Sequence, residues 1–146
     1  MLTVAFMLQI PAPACHSCAS RYFAIKAGKV EAFKEIWGDA YASTKANAEA
    51  EQSHQYAFCF EEREDGTATA LCREAYADAA SVMLHVKNVG EPLGACLDPS
   101  IAELIRLEVH APASEMAALK AGTEAIGTQE GTPQYFEIAW GFRNAV

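Results

Sequence analysis

The chain has 146 residues, 51% hydrophobic and 10% aromatic, with a formal net charge of −8. That is the size of one folded domain, able to bury a core without metal or disulfide staples. The negative charge repels phosphate backbones and no Lys/Arg cluster offsets it, which argues against nucleic acid and membrane as partners; no apolar run approaches the ~18 residues of a spanning helix.

In chain order, the N-terminal "LTVAFMLQI" is apolar and Ala12-Pro13-Ala14 resembles a small-residue cleavage site. A secretory signal also wants a positive n-region, and no basic residue precedes Arg21. The segment is therefore read as an added strand or packed arm over residues 1–19, and the expected location is cytoplasmic. "RYFAIKAG" reads as a strand ending at Gly28. From residue 29 to about 50, Phe33, Trp37, Tyr41 and Thr44 recur every three or four positions, with Glu31, Lys34, Glu35 and Asp39 on the other side, which predicts an amphipathic helix.

"QYAFCFEERE", Asp65-Gly66 and "TATALCREAY" predict a hairpin, Asp-Gly being a preferred two-residue type I′ turn. In that register Phe60 faces Leu71, Phe58 faces Arg73, and Cys59 lies opposite Cys72. "ADAASVMLHVKNVG" predicts a second helix with Ala79, Val82, Met83 and Val86 as its apolar stripe and Gly90 at its end. "EPLGACLDPS" is expected as a loop, and "IRLEVHAP" as a strand with Ile105, Leu107 and Val109 on one face. "ASEMAALKAG" reads as a short helix, "GTQEGTP" as a turn, and "QYFEIAWGF" as a last strand with Phe136, Ile138, Trp140 and Phe142 on one face.

Strand, helix, hairpin, helix, strand predicts an α+β fold: a ferredoxin-like antiparallel sheet with helices on one face. Residues 20–91 form that core, and residues 92–146 a β-α-β extension packed on the same domain. The second sheet face is read as apolar too, so a homodimer is expected, closing a dimeric α/β-barrel over it.

Four sites follow from residue chemistry. Cys15 and Cys18 form "CHSC", but the pair lies between prolines and a strand, with no helix start to activate a thiol and no second pair to complete a zinc site. Loop thiols, a metal site with distant ligands, and a redox pair are the alternatives. Cys59 and Cys72 are either a strained cross-strand disulfide or packed reduced thiols, the latter favoured in a cytoplasm. His85 flanks the apolar face of the second helix, where an imidazole can point into a cavity and exchange protons; a helix-end histidine bonded locally is the plain alternative. Glu74 and Tyr76 precede that helix. Glu74 shares a strand face with Cys72, and a salt bridge with Arg21 or Arg73 is its plain account. His54 and His110 read as strand-edge surface residues. No P-loop, dinucleotide fingerprint, nucleophile elbow or zinc-protease motif occurs, so no cofactor and no metal is implied.

Gly28, Lys29, Phe33, Tyr56, Phe58, Glu74, Tyr76 and His85, in that order and spacing, resemble the antibiotic-biosynthesis-monooxygenase (ABM) domain family over residues 20–91. The resemblance implies a dimeric α+β barrel that oxygenates a small aromatic or quinol substrate without metal or flavin. His85 would be base or orienting donor, with Glu74 and Tyr76 beside it. Tyr56, Phe58, Asn88 and Trp140 would line the substrate pocket. Haem-degrading relatives carry an asparagine on the first strand and a tryptophan ten residues before the histidine. Here "RYFAIK" has no asparagine and Ala75 holds the second position, which argues against haem degradation. The competing expectation is a non-catalytic, dimeric small-ligand-binding or stress-related protein on the same scaffold.

Overall fold

The computed structural model describes residues 17–139. They form β1 (Ser17–Ile25), α1 (Val30–Ala46), β2 (Ser53–Glu62), β3 (Ala68–Tyr76), α2 (Ala79–Asn88), α3 (Gly90–Cys96), β4 (Ala102–Ala111), α4 (Ala113–Thr123) and β5 (Gln134–Glu137). The sheet runs β2-β3-β1-β4-β5. Its first four strands are antiparallel to their neighbours, which is the ferredoxin-like order, and α4 returns the chain so that β5 lies parallel to β4. The expected all-antiparallel sheet is thus corrected at one edge: a helical crossover, unlike a hairpin, delivers a parallel strand. No helix among the described residues is long and apolar enough to cross a membrane.

Alternation on the strands puts one sheet face under the helices. Two apolar clusters fill that layer. Phe23, Phe33 and Trp37, with ring centroids 5.3–6.2 Å apart, centre one beneath α1 and α3. Ala19, Tyr76, Val82, Leu107 and Leu119 build the other beneath α2 and α4. Along β1 and β3 the residues between the clusters, Arg21 and Glu74, are charged and only 2% exposed.

Several expectations change. β1 begins at Ser17, because Ser17–Ser20 pair with β3 on one side and Cys18–Ser20 with β4 on the other. Cys18 is therefore a half-buried residue of a central strand, opposite Ala75 and His110, and not part of a loop. His110 likewise lies between two neighbouring strands rather than at an edge, and its ring stacks on Phe136 at 4.9 Å. Cys15, His16 and the apolar N-terminal segment lie outside the described residues, as does Trp140. The "EPLGACLDPS" loop contains α3, which buries Leu93 and Cys96.

The hairpin register is one residue from the two-residue-turn expectation: Phe58 pairs with Cys72 and Cys59 with Leu71. Asp65-Gly66 belongs to a three-residue loop. Arg63 N–H donates to Thr67 O at 2.9 Å, Gly66 takes the left-handed conformation at φ 79°, and Asp65 Oδ1 accepts from the Thr67 amide and hydroxyl at 2.9 and 2.7 Å. A one-residue shift moves every side chain to the other face. Cys59 is consequently exposed while Cys72 is buried, and the two thiols cannot pair.

A bulge between Tyr22 and Phe23 of β1 and their β4 partners changes the second face as well. Leu104, Leu107 and Val109 all point inward, whereas Ile105 was expected to join the last two. The uncovered face is mixed, not apolar. The Arg106 guanidinium lies 4.3 Å from the Tyr22 ring centroid, and Tyr22 donates to Glu108 at 3.3 Å.

Candidate functional site

The inward charges meet a third element. Asp78 caps α2 by accepting from Ser81 N–H at 2.8 Å. From that start Ala79, Val82 and His85, three residues apart, turn to the sheet. His85 is fully buried. Its Nδ1 lies 2.9 Å from Glu51 Oε2, and its Nε2 lies 3.2 Å from Glu74 Oε2, close enough for an ion pair but off the line of a hydrogen bond. Arg21 grips the same Glu74 through two nitrogens at 2.8 and 3.1 Å, and Tyr76 donates to it at 3.2 Å. Glu51 also accepts from Asn88 Nδ2 at 2.8 Å. The result is one chain, Arg21–Glu74–His85–Glu51, buried throughout and reaching the surface at Asn88.

Burial alone pushes the Glu74 carboxyl up; Arg21 and the contact with His85 outweigh it and hold it below the usual carboxylate range. Burial works against the Arg21 charge, and Glu74 reverses that so the guanidinium is held more firmly charged. The Tyr76 and Tyr56 hydroxyls are pushed far up by burial, so neither acts as a base near neutrality. A carboxylate oxygen thus faces each nitrogen of the His85 ring, from Glu51 on one side and Glu74 on the other.

Tyr56 closes the site toward β2. Its ring centroid is 5.2 Å from that of His85 and 6.3 Å from that of Tyr41, and its buried hydroxyl makes no well-aligned hydrogen bond. Beyond it, two shallow grooves of about 190 Å³ each run between α1 and the edge strand β2 and share Tyr41. The apolar one is walled by Trp37, Tyr41, Phe58 and Phe60, with Lys34 at its rim. His85 lines neither groove.

Of the residues singled out in the sequence, His85, Glu74, Tyr76, Tyr56 and Asn88 come together here. Phe58 stands one step away in the groove wall, 6.0 Å from Tyr56 and 4.8 Å from Trp37 between ring centroids. Glu51 carried no signal: it follows an amphipathic helix in a polar stretch that reads as solvent-exposed. Arg21 did carry one, an arginine at an inward position between Ala19 and Phe23. Among the described residues no group of three His, Cys, Asp or Glu side chains is arranged to hold a metal ion.

Fold and site together define a small ferredoxin-like α+β protein with an ionic site sealed at the seam of its core. Among solved structures it is similar to the crystal structure of MupZ from Pseudomonas fluorescens, at 26% identity and a TM-score of 0.73, with 94% of this chain and 95% of that one covered. The whole domain, β5 extension included, therefore has a counterpart of nearly equal length. A more distant likeness, to PA3566 from Pseudomonas aeruginosa, has 14% identity, a TM-score of 0.46 and coverage of 66% and 91%. No family model matches the chain, and no curated protein matches it.

Proposed function

We propose that this chain is a monooxygenase-like enzyme that oxidises a small, electron-rich aromatic or quinol substrate, held in the groove beside α1. The observation that carries this reading is the buried chain Glu51–His85–Glu74–Arg21 behind Tyr56, a ring that walls one groove and packs against Tyr41 and Phe58 of the aromatic-walled groove next to it. The order of Gly28, Lys29, Phe33, Tyr56, Phe58, Glu74, Tyr76 and His85 that resembles ABM domains supports it. So does the cost of burying four ionisable groups, which a purely structural core avoids by using apolar residues.

In this reading the substrate hydroxyl gives its proton to His85 Nε2, and Glu51 and Glu74 stabilise the imidazolium. The substrate anion passes one electron to O₂. Superoxide and the substrate radical join at a ring carbon, the His85 imidazolium returns its proton to the resulting peroxide anion, and loss of water from the hydroperoxide leaves a carbonyl. A ring CH₂ and O₂ thus become C=O and H₂O, the substrate being its own reductant. Tyr56 turning aside opens the route from groove to His85. A second copy over the mixed sheet face, as the ABM resemblance implies, would close the barrel without adding to this site.

One observation favours a second reading, a non-catalytic aromatic-ligand binder: His85 is fully buried and lines neither groove. Oxygen uptake with a panel of anthrones and quinols separates the two, alongside quenching of tryptophan fluorescence. Wild type should consume O₂, and His85→Ala should lose roughly 10²- to 10⁴-fold in rate. Quenching without oxygen uptake selects the binder, and equal rates in wild type and variant remove His85 as the base.

A further inference from the structure

We propose that Glu51 is the positioning residue of His85: it holds the imidazole with its proton on Nδ1, leaving Nε2 as the nitrogen that exchanges a proton. The assignment rests on the reading that His85 is the base. Three observations converge on it. Glu51 is fully buried although it sits in a turn, and its two carboxylate oxygens are both committed, Oε2 to His85 Nδ1 at 2.9 Å and Oε1 to Asn88 Nδ2 at 2.8 Å. Both contacts go to α2, one turn apart, so the carboxylate cannot rotate without losing one of them.

The turn itself is built to deliver the side chain. Gln52, the next residue, is the one non-glycine described residue with a positive φ, at 46°. It is held there by Gln52 N–H to Glu49 O at 3.1 Å and Ala77 N–H to Gln52 O at 3.2 Å, while Ser53 N–H reaches Ala48 O at 2.8 Å. Left-handed backbone at a non-glycine residue persists only where its surroundings impose it, and such positions gather at functional sites.

The chemistry follows. A carboxylate oxygen only accepts, so Nδ1 must donate to Glu51, and a neutral imidazole then has its lone pair on Nε2. Nε2 makes no aligned hydrogen bond, although Glu74 Oε2 stands 3.2 Å from it, so an incoming hydroxyl reaches Nε2 only by displacing that contact. Glu74 is held chiefly by Arg21 and Tyr76, so the aligned hydrogen bond to the ring comes from Glu51.

Nitrogen-15 NMR of histidine-labelled protein tests this without any substrate. In the wild type, His85 should show a protonated, slowly exchanging Nδ1–H. A bare Nδ1 with the proton on Nε2 alone overturns the assignment. In Glu51→Gln, which keeps the shape and removes the charge, the ring should become a mixture of tautomers. The oxygen-uptake kcat should fall roughly 10- to 100-fold with KM unchanged, and Glu51→Asp should restore part of it. Wild-type tautomer and kcat in Glu51→Gln refute the role, and if that variant does not fold the wild-type spectrum decides alone. Absence of oxygen uptake in a wild type that shows the Nδ1–H removes the oxygenase reading and leaves the positioning of His85 by Glu51 standing.

Discussion

Replacing Arg21 by methionine keeps the volume of the side chain and removes the one permanent cation of the buried site. In the wild type its nitrogens stand 2.8 and 3.1 Å from the Glu74 oxygens, with both side chains at most 3% exposed. At ~3 Å and an effective dielectric of ~20 the direct attraction is about 5 kcal/mol. Loss of one partner of such a pair costs about 3–5 kcal/mol, because the surviving charge stays buried. Against a typical total of ~5–15 kcal/mol this is a large fraction. For a chain of this size the thermal midpoint should fall by roughly 6–20 °C.

Urea titrations at several pH values read the effect, with an unchanged slope showing that the denatured state is not the cause. The sign with pH is set by Glu74, whose carboxyl is held below its ordinary value although burial opposes this. Its contribution is therefore present above the unfolded carboxylate value of ~4.3 and is lost as pH falls through the lower folded value. The Arg21→Met penalty should accordingly shrink on acidification. The double variant Arg21→Met/Glu74→Gln, with no orphaned carboxylate at that position, should recover most of the loss at neutral pH. A single-variant penalty under ~1 kcal/mol, or one that does not change between neutral pH and pH ~3, would refute the claim that this pair is desolvated.

Two further outcomes are expected. Asp78→Ala removes the side-chain acceptor for Ser81 N–H at the start of the helix carrying His85, and should cost about 1 kcal/mol in a chemical melt while Asp78→Ser costs little; equal losses in both would show that the cap is not the cause. In the folded protein Cys59 should react at once with a thiol reagent. Cys72 and Cys96 should wait for unfolding, since both are buried and burial raises their thiols, Cys96 to about 12. Mass analysis of labelled peptides checks this, and a Cys59–Cys72 disulfide would overturn the hairpin register.

Much of the architecture was readable from spacing along the chain. The stripe Phe33–Trp37–Thr44, the hairpin around Asp65-Gly66, and the strands at "RYFAIKAG" and "IRLEVHAP" are local patterns, and each element formed close to where its pattern lay. The histidine late in α2 was legible for the same reason, and so was a basic partner for Glu74, at Arg21 or Arg73. Their meeting was not, because it depends on β1 and β3 being neighbours and on α2 lying across both.

The sequence by itself therefore determined every element but α3, their order and the α+β class, since periodicity and turn chemistry act over a few residues. Only the tertiary structure decided the one-residue hairpin register that separates Cys59 from Cys72, the parallel pairing of β5 with β4, the helix hidden in Gly90–Cys96, and the burial of Glu51. Each of these is set by contacts between segments distant in sequence, where a single residue of shift or one helix laid across a turn changes which side chains meet. Glu51 shows this most sharply: its neighbours in sequence say water, and α2, packed over the turn 34 residues later, makes it the carboxylate that holds His85.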